Sequence, residues 1–374
     1  MAPQRTIALV YSFSLGYCRA TLRGISAAAA AHPGWRLVPV APERARADLR
    51  RLRPDAILAH LFDRDLARAV LRMDVPVVST CGLWGRIEVP RVLADDLAVG
   101  RLAAEHLLER GPRSFVAVGH RGQEASLRRI AGLRAALAER GLDAATWWVP
   151  PTRAFDPHAI APMVDARCVA FLASLPRPLG VACANDIIAR QLLDLLHAAG
   201  IAVPEDMAVL GVDDDDLLCR LAQPALSSVR LDAEGIGRRA AELLADWLEH
   251  GRRPPVETLL PPRQVVARHS TALEAGIDPA LATALEAGPQ HINRLAALAQ
   301  ISRRTLERRA RRQLGRGIAA ELRRRRLEQA KLLLQEGGPA IGEVARRCGF
   351  RDQAELSRTF RRETGMTPTA WRAG

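Results

Sequence analysis

One pattern occurs twice in the last eighty or so residues, and this repetition constrains the fold more than any other feature of the chain. The first copy opens with LAALAQI (Leu295–Ile301), a short apolar helix followed by a tight break. SRRTLERRARR (302–312) follows, where Ser302 can accept a backbone N–H at a helix N-cap and Leu306 supplies an apolar contact one turn in. Arginines at 303, 304, 308, 311 and 312 spread around this helix, more than a core helix could bury. The second copy opens with IGEVARRC (Ile341–Cys348), which has Ile341, Val344 and Ala345 on one face and Gly349 closing it. Asp352 then caps a helix with an apolar stripe of Leu356 and Phe360, exposing Arg358, Arg361 and Arg362. A short helix, a turn and a polar second helix make the helix-turn-helix pattern. Taken alone, the first copy could be a solvated surface helix; its repetition argues against that.

Between the copies, Ile318–Glu336 contains no proline or glycine and has an apolar face of Leu322, Leu327, Leu332 and Leu333. A helix of that length is roughly 28 Å long. Successive major-groove faces on one side of B-DNA lie roughly 34 Å apart, so one connecting helix can set two reading helices in adjacent grooves. Charge agrees with this reading. From Pro289 onward, 20 Arg or Lys stand against 8 Asp or Glu, and this stretch holds +12 of the formal +13. A near-neutral body with a strongly basic end is the electrostatic footprint of nucleic-acid binding.

Residues 292–372 resemble the two-motif DNA-binding domain of AraC/XylS-type transcription regulators. The resemblance rests on SRRTLERR, LGRGIAAELRRRRLEQAKLLL, IGEVARRCGF, LSRTFRRETGMTP and the closing Trp371-Arg372. Ala310 stands where that family usually has phenylalanine, and Ala284–Asn293, with Gly288 and Pro289, is short and broken for the family's first helix.

The 374 residues suffice for two or three domains. Apolar runs fall well short of a membrane span, and the N-terminus lacks the parts of a signal peptide, so a cytoplasmic protein is expected. Six scattered cysteines form no C-x-x-C pair, which argues against zinc and against a disulfide framework. The nine histidines are equally scattered and read as ordinary surface or core residues.

Taken in order, RTIALVY (Arg5–Tyr11), Trp35–Val40, Asp55–Ala59, Val75–Ser79, Val92–Leu93, Ser114–Gly119, Trp147–Pro150, Gly180–Ala184 and Ala208–Val212 read as short buried strands. Helical patterns alternate with them, at 17–31, from Asp95-Asp96 to Arg110, at Ser126–Arg140 and at Asp186–Ala199. Such alternation means doubly wound parallel sheets. More than 250 residues with about ten strands predict two sheets facing each other across a cleft, with ligand at the carboxyl ends of the strands.

Polar residues gather at those strand ends: Arg19, Asp95, Asp96, Arg128, Arg129, Asn185, Asp186 and the run Asp213–Asp216. Carboxylates, an amide and guanidinium groups around one cleft suit a neutral polyhydroxylated ligand, whose hydroxyls can donate to carboxylates while accepting from arginine or asparagine. The competing reading is that strand-end Asp and Asn merely cap helices. A Ca²⁺ site in the aspartate run lacks the spaced loop ligands such sites use.

Residues 6–270 resemble the periplasmic-binding-protein-like effector domain of LacI/GalR-type regulators, through DDLAVGRLAAEHLLERG, RRIAGLRAAL, ANDIIARQLLDLLHAAGIAVPEDMAVLGVDD, PALSSVRLD and IGRRAAELL. That domain fused ahead of an AraC-type domain is the arrangement of the xylose-operon activators. The resemblance implies a two-lobed α/β domain (1–271), a linker (272–290) and an all-α domain with two helix-turn-helix motifs (291–374). Sugar contacts are implied at Arg19, Asp95 or Asp96, Arg129, Asn185 and Asp213, with D-xylose as the effector. Two departures bear on the sugar: Cys18 stands where some relatives have aspartate, and Gln123–Leu127 lacks the family's Ser/Trp/Arg run.

For DNA, Ser302, Arg303, Arg304, Glu307 and Arg308 on the first reading helix and Gln353, Glu355 and Arg358 on the second are the candidates. Arginine pairs bidentately with guanine, while Glu307 either accepts from cytosine or orients a neighbouring arginine. Arg311, Arg312 and Arg323–Arg326 are expected at phosphates or in solvent. Double-stranded DNA, a small sugar, a second copy of the chain and RNA polymerase are the expected partners, with no cofactor, metal or membrane. A sugar-modifying enzyme could use paired carboxylates in such a cleft, but no nucleophile elbow, phosphate-cradling loop or metal motif is present. A constitutive DNA binder whose effector domain has lost its ligand is the third reading.

Overall fold

The computed structural model describes residues 4–83, 89–150, 163–272, 279–286, 292–299, 302–335 and 339–373. The chain divides into two compact units, Met1–Ala275 and Gly276–Gly374.

The first unit is built on two six-stranded sheets. Strands β1 (Arg5–Val10), β2 (Trp35–Val40), β3 (Ala56–Ala59), β4 (Val77–Ser79) and β5 (Arg91–Ala94) lie in the first sheet in the order β5-β4-β3-β1-β2. The second holds β6 (Ser114–His120), β7 (Ala144–Val149), β8 (Leu179–Cys183), β9 (Met207–Val212) and β10 (Ser227–Arg230) in the order β10-β9-β8-β6-β7. Two further strands return the chain to each sheet: β11 (Glu257–Leu260) beside β5, and β12 (Gln264–Val266) antiparallel to β10. The remaining pairings are parallel, and β3 and β9 are buried along their whole length, as strands covered on both faces must be.

Helices α1 (Gly16–Ala29), α2 (Ala45–Leu52), α3 (Arg64–Leu71), α4 (Asp96–Leu108), α5 (Glu124–Ala138), α6 (Ala166–Ala173), α7 (Asp186–Ala198), α8 (Asp216–Leu221) and α9 (Ala233–His250) cover the sheets. α4 follows a strand of the first sheet but packs against α5 and the second sheet; α9 follows a strand of the second but packs against α1 and the first. The chain therefore crosses between lobes three times: β5 to α4, β10 to α9, and β11 to β12. At Gly100 a Cβ would come within 1.9 Å of the Arg129 carbonyl oxygen, so only glycine lets α4 lie this close to α5.

The second unit is helical among its described residues: α10 (Pro279–Glu286), α11 (Ile292–Leu298), α12 (Arg303–Leu314), α13 (Ile318–Gln335), α14 (Ile341–Arg347), α15 (Gln353–Thr364) and α16 (Pro368–Ala373). The expected linker, 272–290, is not all linker. α10 lies within it and packs on α11 and α12, with Leu281, Ala284 and Leu285 buried. The domain's first helix thus lies earlier than the broken Ala284–Asn293 stretch suggested; 273–278 and 287–290 lie outside the described residues. α13, about 27 Å long, packs against α12, α14, α15 and α16. Its Leu327, Ala330 and Leu334 share a core with Val344, Ala345, Leu356 and Phe360. Ala310, in place of a larger apolar residue, is fully buried on α12.

Candidate ligand cleft and DNA-reading helices

Between the two lobes of the first unit lies a cavity of about 250 Å³. Arg19, Asp96, Arg129, Asn185 and Asp213 all line it, so five of the six ligand residues read from the sequence meet in one place. Asp95 does not. It is the N-cap of α4, its Oδ1 accepting from the Ala98 N–H at 3.0 Å, and the next residue turns its carboxylate into the cleft.

Arg129 organises the centre. Its Nε donates to Asp96 Oδ1 at 2.7 Å, one Nη1 hydrogen goes to the Ala184 carbonyl at 2.6 Å, and Nη1 lies 3.9 Å from Asp213 Oδ1. Burial works against the Arg129 charge, and the Asp96 and Asp213 carboxylates more than offset it. Burial likewise pushes Asp96 up, with Arg129 drawing it back in part. Asp213 is pushed up to about 7, again by burial first, with Arg129 opposing and Asp96 and Asp215 adding to the rise. Its backbone is also strained: φ is 115° at Asp213, a value non-glycine residues rarely hold, next to 53° at Asp214.

The aspartate run divides its work. Asp213 faces the cavity. Asp214 is almost fully buried and accepts from Arg230 Nε and Arg268 Nη2, both at 2.7 Å. Asp215 caps α8 through Oδ1, while its Oδ2 accepts the Gly16 N–H at 3.1 Å and lies 3.8 Å from Arg19 Nη2. Asp216 pairs with Arg220 on the surface. No group of three or more potential metal ligands exists among the described residues. A Cβ on Gly16 would fall 2.1 Å from Asp215 Oδ2, so glycine is what brings the start of α1 onto this carboxylate across the cleft.

The capping reading is thus partly right for Asn185, whose Oδ1 accepts from the Ile188 N–H at 2.9 Å. Asp186 is structural: buried, it accepts from Ser228 Oγ at 2.6 Å and the Asp215 N–H at 2.8 Å. On the other flank the lobes are bridged by the Glu124 N–H on the Leu83 carbonyl (2.9 Å) and the Ala125 N–H on the Gly82 carbonyl (3.1 Å). Arg128 Nη1 of α5 also meets Glu257 of β11 at 3.1 Å. Sequence reading missed Tyr17 and His60 as cavity residues and named Asp215 only as part of the strand-end run. His60 directly follows β3 and so had a strand-end signal; Tyr17 had none short of the tertiary fold.

In the second unit Ser302 caps α12, its Oγ accepting from the Thr305 N–H at 3.1 Å. Arg303 and Arg304 are exposed, as a reading helix requires. The Arg308 and Arg312 side chains lie outside the described residues. Glu307 is turned to the α12–α13 turn, where a Cβ on Gly317 would meet its Oε2 at 2.8 Å. On α15, Gln353 and Arg358 are exposed, whereas Glu355 ties down the helix start: its Oε2 accepts the Arg351 N–H and its own N–H donates to Asp352 Oδ1, both at 2.7 Å. Arg324 and Arg325, expected at phosphates or in solvent, instead pair with buried Glu321 at 2.9 and 3.2 Å.

Residues 104–271 match the family model of a periplasmic binding protein-like domain, and 295–374 match a helix-turn-helix domain. The xylose operon regulatory protein of Escherichia coli strain K12 is 27% identical, over 98% of this chain and 96% of its own length. Its counterpart from Haemophilus influenzae is 26% identical over 87% of this chain and 86% of its own. The solved structure of a xylose-binding transcription activator, XylR, superposes with a TM-score of 0.63 at 25% identity, covering 100% of this chain and 98% of that one. No helix among the described residues is long and apolar enough to cross a membrane. The chain is a DNA-binding transcription regulator that joins a periplasmic-binding-protein-like effector domain to an AraC-type double helix-turn-helix domain, in the arrangement of the xylose operon regulators.

Proposed function

We propose that the chain is a cytoplasmic, dimeric activator of a sugar-catabolic operon, and that its effector is a monosaccharide, D-xylose, held in the inter-lobe cavity. The observation that carries this reading is the Asp96–Arg129–Asp213 arrangement inside the cavity. Fixed carboxylates and a guanidinium, already paired and oriented, accept from and donate to hydroxyls without adding a charge that the ligand must neutralise. The cavity falls below the roughly 300–1,000 Å³ of drug-sized sites, which favours one sugar ring. The relatives named for xylose support the choice of pentose.

Sugar acts by preferring the state in which the lobes meet, and shifts the equilibrium only as far as that preference goes. The signal leaves through Asp214, next to cavity Asp213, and through Arg268, which holds the exit of the effector domain. Changed pairing of lobes in a dimer then alters the spacing of the DNA-binding units. Arg303, Arg304, Arg308 and Arg358 read guanines and Gln353 reads adenine, Ser302 positions α12, and RNA polymerase is the partner that activation requires.

Binding to the chain's own upstream DNA, measured with and without D-xylose at fixed salt, tests the reading. Xylose should change affinity or footprint, and an Asp213→Ala variant should not respond. Silence to xylose, arabinose and ribose alike would remove the sugar sensor.

A further inference from the structure

We propose that His60 is the hydrogen-bond donor by which the first lobe selects its ligand, an assignment that rests on the sugar reading of the cavity. His60 directly follows β3 and is anchored by its backbone N–H on the Val10 carbonyl at 3.0 Å. It lines the cavity yet is only 7% exposed, tilted between Tyr17 (ring centroids 5.5 Å apart) and Phe62 (6.2 Å). Burial lowers its pKa to about 4, so at neutral pH the ring carries one proton.

The position of that proton follows from what surrounds the ring. Nδ1 is sealed from solvent and has no hydrogen-bond partner among the described residues. Buried N–H groups without an acceptor are rarer than bare acceptors, so the proton belongs on Nε2, the ring nitrogen that is not sealed.

The hydrogen-bonding capacity of the same wall is largely spent. The Tyr17 hydroxyl donates to the Thr80 carbonyl at 2.8 Å, and Thr80 Oγ1 donates to the Tyr11 hydroxyl at 3.1 Å. Arg19 Nη1 donates to the Phe13 and Ser14 carbonyls at 2.8 and 2.9 Å. Carboxylate acceptors ring the cavity, in Asp96, Asp213 and Asp215, while the donors of Tyr17, Thr80 and Arg19 on this wall are mostly spent. A neutral imidazole N–H adds a donor without another charge. It requires an oxygen at one place on the ligand, and a site built around such a bond rejects an analogue lacking that oxygen.

The test is calorimetry on the full chain with D-xylose and a panel of its monodeoxy and ring-oxygen-replaced analogues. His60→Phe, which keeps a flat ring without the donor, should weaken D-xylose about ten- to a hundredfold. It should bind one analogue, the one missing the oxygen that His60 meets, as well as the wild type does. His60→Gln, which restores an N–H, should recover part of the discrimination. Wild-type affinity for D-xylose in His60→Phe, or an equal loss across the panel, would overturn the assignment. Should that variant not fold, heteronuclear NMR of the wild-type imidazole decides: an Nε2-bound proton whose resonance moves on sugar binding supports the assignment, and an Nδ1-bound one overturns it. If the wild type binds no aldose, the sugar reading falls and His60 with it; if the wild type binds and His60→Phe matches it, only the assignment falls.

Discussion

Arg268 and Asp214 are joined at 2.7 Å in a nearly buried ion pair, and this bond ties the exit of the effector domain to the turn that carries Asp213. Beyond Arg268 the chain is held by a buried relay: Ser270 Oγ donates to the Val209 carbonyl at 2.6 Å, Thr271 Oγ1 to Ser227 Oγ at 2.7 Å, and His106 lies 2.8 Å from Thr271. Arg268→Met should therefore leave sugar affinity nearly unchanged while shrinking the effect of sugar on DNA affinity. Asp214 keeps Arg230, so the stability loss should stay at about 1–3 kcal/mol. Sugar titrations with and without DNA measure both, because the coupling is reciprocal.

Arg128 and Glu257 hold the lobes together without lining the cavity. Both are partly exposed, so the pair is worth about 0.2–1 kcal/mol. Arg128→Ala should weaken sugar binding by only about two- to fivefold, by making the closed state less populated. Added salt should weaken the wild type toward the variant, which calorimetry at two ionic strengths would reveal.

Sugar binding should depend on pH through Asp213. In the free cleft its carboxyl titrates at about 7, and hydroxyls donating to the carboxylate favour the charged form. Affinity is then full above that value and falls by up to about tenfold per pH unit below it. Proton release on binding, measured in buffers of different ionisation heat, checks the sign. Because the folded pKa is raised, stability is lost as pH rises from the ordinary carboxylate range to about 7 and stays lost above it, so Asp213→Asn should raise the melting temperature of the sugar-free protein at pH 8 or so while abolishing binding.

On α15 the two neighbouring candidates should separate by assay. Glu355→Ala removes the acceptor of the Arg351 N–H and should cost about 0.5–1.5 kcal/mol of stability in the second unit. Arg358→Ala should leave melting unchanged and lower affinity for the cognate site by about 1–3 kcal/mol relative to a site with the contacted base changed. Equal behaviour of the two variants in both assays would remove Arg358 from base reading.

Each of the nine strands read from the sequence has a counterpart in the sheets; most are buried on both faces, while β2 and β7 are edge strands with partly exposed positions. β10 escaped because its four residues include two serines and an arginine, β11 because it is an edge strand, half exposed, and β12 because it has three residues. Strand-end polarity found the cavity but not the division of labour within it: Asp95 and Asp96 differ by one helical step, which sends one side chain to cap α4 and the other to Arg129. Asp215 meets Gly16 across 199 positions of chain, a proximity that no local pattern encodes. Glu355 reads as a DNA contact in the sequence because its partner, the Arg351 backbone N–H, appears only once the helix is laid down.

The three crossings between the lobes are short. One residue, Asp95, joins β5 to α4; two, Leu231 and Asp232, join β10 to α9; three, Pro261 to Arg263, join β11 to β12, and two of those are prolines with fixed φ. Tethers so brief leave almost no slack for the halves to slide or drift apart. What remains is a swing, a door on three pins, so whatever grips the two leaves at the cavity sets a single angle for the whole effector domain.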